Sequence, residues 1–154
     1  MKENGSSIEA LREAALSAMR QAYAPYSNFR VGAALRSIDG GITSGCNVEN
    51  ASYPAGICAE RSAVAAAVAA GRRQFDMLVL ATEADAPTPP CGICRQVLGE
   101  FSWDGGLEIV SVTVSGHETR WRLDALLPKP FSPSSLERDA QPENTRRVTR
   151  ADHK

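Results

Sequence analysis

No stretch of this chain is apolar for long enough to cross a bilayer. The longest uninterrupted run, Ala63 to Ala70, is mostly alanine, whereas a membrane helix needs about 20 apolar residues, so no membrane partner is expected. The N-terminus shows no secretory signal either: Met1-Lys2-Glu3-Asn4-Gly5 leads into an amphipathic stretch rather than an apolar core segment. Positive charge is not in surplus, with 17 Lys+Arg against 18 Asp+Glu, and there is no strip of interleaved basic and aromatic side chains. A near-neutral surface has no field to gather a polyanion. Nucleic acid is therefore not expected as a partner, and the substrate should be small. Cysteine is scarce, at four. Without a secretory context those four indicate a reducing compartment, the cytoplasm, where Cys-x-x-Cys signals metal or redox chemistry rather than a structural disulfide.

What is present fits one domain, with 154 residues and a 43% hydrophobic fraction, enough to bury a core without disulfides. Ile8, Leu11, Ala15, Met19 and Ala22 recur at helical spacing, predicting a helix over Ser7 to Gln21 with Ser6 or Ser7 as cap. Phe29 to Ser37 and Ile42 to Cys46 flank Asp39-Gly40-Gly41 and read as a hairpin. A loop of small and polar residues, Asn47 to Ile57, leads to a second helix from Cys58 to Ala70, with Gly71 closing it. That helix has a small, mostly uncharged surface and should be buried against a sheet. Met77 to Thr82 reads as a strand buried on both faces, Cys91 to Phe101 as a third helix, and Glu108 to Val114 and Glu118 to Leu123 as a second hairpin about Gly116. A helical turn follows at Asp124 to Pro128. The order predicts an α/β three-layer sandwich, a mixed sheet of about five strands with helices on both faces. Residues 1–132 form the expected domain. Residues 133–154, rich in Pro, Ser, Arg and acids with almost no apolar residue, read as a disordered charged tail.

The chemistry gathers at two helix starts, Cys58-Ala59-Glu60-Arg61 and Pro90-Cys91-Gly92-Ile93-Cys94. Cys91 and Cys94 are three apart and share one face. At a helix N-terminus the macrodipole and free N–H groups favour thiolate, the form that binds zinc. Three thiolates can hold one Zn²⁺ and leave a position for water, and Glu60 can move that water's protons. Arg61 and Arg95, close in sequence, can offset the excess negative charge from outside the ligand set. A redox Cys-x-x-Cys pair and a closed four-thiol site recruiting Cys46 are the alternatives, and Cys46 can also pack as a small hydrophobe at a strand end. Glu60 by itself could be an ordinary solvated first-turn acid. Phe29 could be plain core and Phe131 a simple anchor for the tail.

Cys-Ala-Glu followed some thirty residues later by Pro-Cys-x-x-Cys has the form of the zinc-deaminase signature, with Cys at the first ligand. Together with Ala24-Pro25-Tyr26-Ser27-Asn28-Phe29, Val31-Gly32-Ala33-Ala34-Leu35, Asn47-Val48-Glu49-Asn50-Ala51 and Arg95-Gln96-Val97, it resembles the small homotetrameric zinc-dependent cytidine deaminases from about Tyr23 to Phe131. The resemblance implies a cytidine deaminase-like fold and one zinc per subunit on Cys58, Cys91 and Cys94, with Glu60 as the proton shuttle. It implies substrate contacts from Phe29, Asn47, Glu49 and the backbone at Ala59, and puts Arg61, Arg95 and Gln96 behind the ligands. It also implies a homotetramer in which Tyr53 and Phe131 reach a neighbouring subunit's site. The expected reaction is hydrolysis of cytidine and 2′-deoxycytidine to the uridine products and ammonia, as in pyrimidine salvage. The rivals are a deaminase of the same fold acting on an aminopyrimidine antibiotic such as blasticidin S or on a polynucleotide, and a non-catalytic zinc module with a fourth protein ligand.

Overall fold

In the computed structural model the described residues are 7–102 and 106–136. Helix α1, Ile8–Arg20, starts where Ser7 accepts a hydrogen bond from the Ala10 N–H at 3.3 Å, and it turns Leu11, Ala15 and Met19 inward. A turn through Asn28, whose φ of 55° asparagine tolerates better than most residues, delays the next strand. Strand β1 therefore runs Val31–Ser37, two residues later than the apolar pattern predicts, and Phe29 is left off the ladder. Strand β2, Ile42–Cys46, pairs antiparallel with β1 across the Asp39-Gly40-Gly41 turn. Helix α2, Ala59–Ala69, leads to β3, Phe75–Thr82. Helix α3, Gly92–Glu100, is the crossover to β4, Glu108–Thr113. Strand β5, Glu118–Arg122, and the short α4, Leu123–Leu126, complete the unit.

The sheet order is β2-β1-β3-β4-β5, parallel only between β3 and β4. This is the expected mixed five-stranded sheet. It separates two cores by strand parity. Ala34, Met77, Val79, Ala81, Val110 and Val112 face α1. Ala33, Leu35, Leu78, Leu80 and Ile109 face the other way, towards Ala59, Ala63, Ala67 and Leu98 of α2 and α3. Covered on both faces, β3 reads as an unbroken apolar run. Two glycines let the helices lie directly on the hairpin: a Cβ on Gly32 would stand 1.9 Å from the Ala15 carbonyl oxygen, and one on Gly45 would stand 2.4 Å from the Ala63 nitrogen.

Among the described residues no helix is long and apolar enough to cross a membrane. The tail expected from residue 133 begins with a 3-10 turn, Pro133–Leu136, and the rest of that expectation lies outside the described residues.

Candidate active site

Helices α2 and α3 begin with the same device. Cys58 and Cys91 are not helical, as the sequence pattern has them, but N-caps, with extended backbone (φ −74°, ψ 155° and φ −64°, ψ 165°) and no hydrogen bond from the side chain to the helix. In a capping box the N-cap and N3 side chains each reach the other residue's backbone N–H, which brings the two side chains close. In α3 those positions carry Cys91 and Cys94, so the Cys-x-x-Cys spacing places two sulfurs side by side. The two helix starts converge, and the ligand atoms of Cys58, Cys91 and Cys94 all lie within 4.8 Å of one another. Cys58 Sγ and Cys91 Sγ are 3.9 Å apart, close to the ~3.8 Å between two sulfurs of a tetrahedral zinc site with Zn–S bonds of about 2.3 Å. Cys46 is not in this cluster, so a closed four-thiol site is not assembled from the described residues.

The charge state of the cluster points the same way. A hydrogen bond from Cys94, with others from Cys91 and the Arg61 charge, holds the Cys58 thiol down at about 5 against the cost of burial. The same Cys58 contact, burial and the nearby Glu60 carboxylate push Cys94 far up. Without a cation the sulfurs cannot all ionise, and a divalent ion bound by thiolates removes that conflict. The donor set therefore fits zinc.

Glu60, the second residue of α2, is 5% exposed. Burial, then the Cys58 charge, raises its pKa above the ordinary carboxylate range. Glu60, Ala59, Cys58 and Cys91 line an open cavity of about 450 Å³ together with Phe29, Asn47, Glu49 and Tyr53. The segment carrying Asn47 and Glu49 is held from both sides. The Tyr23 N–H donates to the Asn47 carbonyl at 3.0 Å and the Glu49 N–H to the Tyr23 carbonyl at 2.8 Å, while Val48 exchanges two backbone bonds with Ile57 at 3.0 Å. The Asn47 amide then accepts from the Val31 N–H and donates to the Phe29 carbonyl, both at 2.8 Å. Glu49 accepts from the N–H groups of Tyr26 and Ser27 at 2.9 and 3.2 Å and from the Ser27 hydroxyl. The Ser27 bond is the main reason its pKa lies below the usual carboxylate range.

The remaining expected residues divide. Arg61 donates to the Gly56 carbonyl at 3.0 Å, its charge reaches Cys58, and its buried Nε has no partner among the described residues. Arg95 acts through the backbone instead, donating to the carbonyls of Pro90 at 2.8 Å and Leu126 at 3.2 Å, which fixes the approach to Cys91. Gln96 exchanges two bonds with the Phe131 main chain at 2.7 and 3.2 Å, so its recorded contacts anchor the C-terminal segment rather than the sulfurs. Tyr53 lines its own chain's cavity and meets Tyr26 edge-on at 5.9 Å. Phe131 is 61% exposed and does not line that cavity. Ser27, Leu80, Thr82 and Thr88 also line it, and sequence reasoning does not single them out. Only the period-two alternation of β3, which puts Leu80 and Thr82 on one face, could have indicated any of them.

Comparison with known proteins agrees with the geometry. The family model described as "Cytidine and deoxycytidylate deaminase zinc-binding region" matches residues 6–105. The cytidine deaminase of Sporosarcina psychrophila is 41% identical over 129 residues, 84% of this chain and 94% of that protein. A probable cytidine deaminase of Dictyostelium discoideum is 40% identical over 134 residues, 86% and 89% of the two chains. Among solved structures, the cytidine deaminase from Burkholderia pseudomallei superposes with a TM-score of 0.77 at 46% identity, covering 82% of this chain and all of that one. The one from Mycobacterium tuberculosis superposes with a TM-score of 0.70 at 37% identity, covering 82% and 98%.

Proposed function

The chain belongs to the cytidine and deoxycytidylate deaminase family, and from that premise we propose that it hydrolyses cytidine and 2′-deoxycytidine to uridine, 2′-deoxyuridine and ammonia. The observation that carries the reading is a buried carboxylate, Glu60, two residues from an N-cap thiol and in one cavity with the sulfurs of Cys58 and Cys91 and with the Asn47/Glu49 pair.

Zinc held by Cys58, Cys91 and Cys94 supplies a Lewis acid that makes water nucleophilic at neutral pH. Glu60 manages the protons. It accepts one from the attacking water and passes it to ring N3, which makes C4 electrophilic. Once the C4–O bond has formed, Glu60 takes the second proton from the new hydroxyl and gives it to the amine as the C4–N bond breaks, so ammonia leaves and the C4 carbonyl remains. Burial suits it to this exchange, because a carboxyl held above its ordinary range holds a taken proton better than a solvated one does. Asn47 and Glu49 orient the sugar. After their bonds to the fold, the Asn47 amide keeps one N–H and the Glu49 carboxylate keeps lone pairs for ribose hydroxyls. Phe29 packs on the nucleoside and the Ala59 backbone approaches the base. The Gly56 carbonyl held by Arg61 and the Pro90 carbonyl held by Arg95 fix the two loops that deliver Cys58 and Cys91.

Glu60→Gln tests the assignment. Zinc content should persist while kcat falls at least ~10³-fold, the upper part of the range for losing a general acid–base. Turnover near wild type would remove Glu60 from the mechanism.

The active species is taken to be a homotetramer. Tyr53 and Phe131, 75% and 61% exposed, are suited to burial against neighbours, with Phe131 completing another subunit's cavity; a monomeric mass in solution would overturn this. Residues 1–132 are read as the catalytic unit, so removal of 133–154 should leave kcat unchanged. The free thiols at the site support a reducing, cytoplasmic location, which fractionation of cells tests.

A further inference from the structure

At the C-terminal ends of β3 and β4 three hydroxyl residues, Thr82, Ser111 and Thr113, share the face that carries α2 and α3, set there by parity with Leu80 and Ile109. Two are spent. Ser111 Oγ accepts from the Thr88 N–H at 3.1 Å. Thr113 Oγ1 is bonded to Ser115 Oγ at 2.8 Å and accepts from the His117 N–H at 3.1 Å. Thr82 is not. Its residue is 1% exposed and its Oγ1 has no partner among the described residues, although the residue forms part of the cavity wall. The neighbouring polar groups hold bonds of their own. The Glu83 carboxylate is taken up by Arg30 in a two-bond pair, and the Asn47 amide holds Val31 and Phe29. The Thr82 carbonyl accepts from the Val114 N–H at 3.2 Å. A buried hydroxyl left unpaired lowers stability, and each such group calls for a reason, a functional role among them.

We infer that Thr82 is a further substrate-binding residue, its hydroxyl reserved for a polar atom on the ring of a bound pyrimidine nucleoside. The inference rests on the nucleoside reading of the cavity and deepens it. The sheet order places Thr82 two strands from the β2 edge, with β1 between, which at a spacing of ~4.8 Å is about 10 Å across the sheet. With the sugar at Asn47 and Glu49, just beyond the end of β2, a group that far across meets the base. The oxygen is buried behind the cavity wall. A step of about 120° between staggered χ1 wells exchanges the positions of the Cβ substituents and is the motion that would turn the hydroxyl to a ligand. With N3 taken by Glu60, the hydroxyl can donate to O2 or accept from the 4-amino group.

The test compares wild type, Thr82→Val and Thr82→Ser, each zinc-loaded, on cytidine and on 2′-deoxycytidine. Valine keeps the branched shape and loses the hydroxyl. It should raise KM on both substrates alike by about 3- to 10-fold, the worth of one neutral hydrogen bond, with kcat held, zinc retained and Tm equal to or above wild type. Serine should return KM to within about twofold of wild type. An unchanged KM in the valine variant overturns the inference. So does a loss confined to cytidine, which would put the hydroxyl on the 2′-OH, or a lowered Tm that serine does not restore, which would make the residue structural. Wild-type protein inert towards both nucleosides would instead sink the functional reading itself, and that outcome is read without any variant.

Discussion

The same chemical change, glycine to alanine, should move stability in opposite directions at two positions, and at one of them it should also move the active site. A Cβ on Gly45 stands 2.4 Å from the Ala63 nitrogen and 2.8 Å from the Ser62 carbonyl carbon and Cβ. Those atoms are mostly the backbone of α2, which cannot swing aside as a side chain can. Restoring ordinary contact requires α2 to lift from β2 by roughly 1 Å in an interior packed like a crystal. Overpacking of that kind costs about 1–3 kcal/mol, and stiffening of the unfolded chain returns about 0.4–1 kcal/mol. The net loss of about 1–2 kcal/mol corresponds to a Tm lower by about 2–8 °C for a chain of this size. Because Cys58 and Glu60 ride on the N-terminus of α2, the displacement should also cut kcat by about 10-fold or more.

Gly99 is the control. It lies inside α3, and a Cβ there meets only Leu127 Cδ2 at 3.7 Å, an ordinary contact. Alanine should contribute about 0.5–1 kcal/mol and raise Tm by about 1–4 °C, with kcat unchanged. Thermal melts of the zinc-loaded proteins, with cytidine turnover beside them, decide the matter. Shifts of the same sign at both positions, or an unmoved Gly45→Ala, would refute the claim that close approach of α2 to the sheet sets the site.

Cys91→Ala should release zinc, shown by metal analysis of purified protein, and abolish turnover with it. Glu49→Gln should raise KM by about 10-fold with little change in kcat, because neutral acceptors replace charge-assisted ones on Tyr26, Ser27 and the ribose; a kcat-only defect would contradict a ground-state role. The pH sign of that contact follows from the Glu49 pKa, held down chiefly by the Ser27 bond. The contact is fully present above the ordinary carboxylate range and is lost as pH falls through the lowered value, so KM should be flat down to mild acid.

The sequence made the elements legible where one physical rule governed them. Helix α1 announced itself by period, β3 by an apolar run that only a doubly covered strand sustains, and the turns by glycines that now show φ of 85° at Gly40 and 88° at Gly116. Element ends were less legible. Phe29 continues the alternation of β1, but the positive φ at Asn28 takes it out of the ladder and leaves its ring to the cavity. Cys91 and Cys94 were legible as a pair because their spacing acts within one helical turn, whereas Cys58, 33 residues before Cys91, joins them only where two helix starts meet. The Ser27–Glu49 contact spans 22 residues, and the Thr82 environment depends on the register of β1 on β3. Neither leaves a local signature. Gln96 misled for the complementary reason: it sits two residues from Cys94, yet helical rotation turns its side chain to the Phe131 main chain.

The cavity's polar groups differ in how far the fold has already used them, and this determines what mutagenesis there can reveal. Asn47 spends its amide oxygen and one N–H on the lead into β1, and Glu49 spends both oxygens on the turn at Tyr26 and Ser27. Truncating either removes a substrate contact and loosens the loop that presents Phe29, so binding and order fall together and the measured energies will not add. Thr82 Oγ1 and Arg61 Nε are the reverse: each is buried and unpaired among the described residues. Removing the Thr82 hydroxyl deletes no recorded bond of the folded chain, so what its loss does to KM can be assigned to the ligand. Arg61 is intermediate, since its Nη2 also holds Gly56; a lysine there would keep the charge beside Cys58 while giving up the planar fork that reaches that carbonyl.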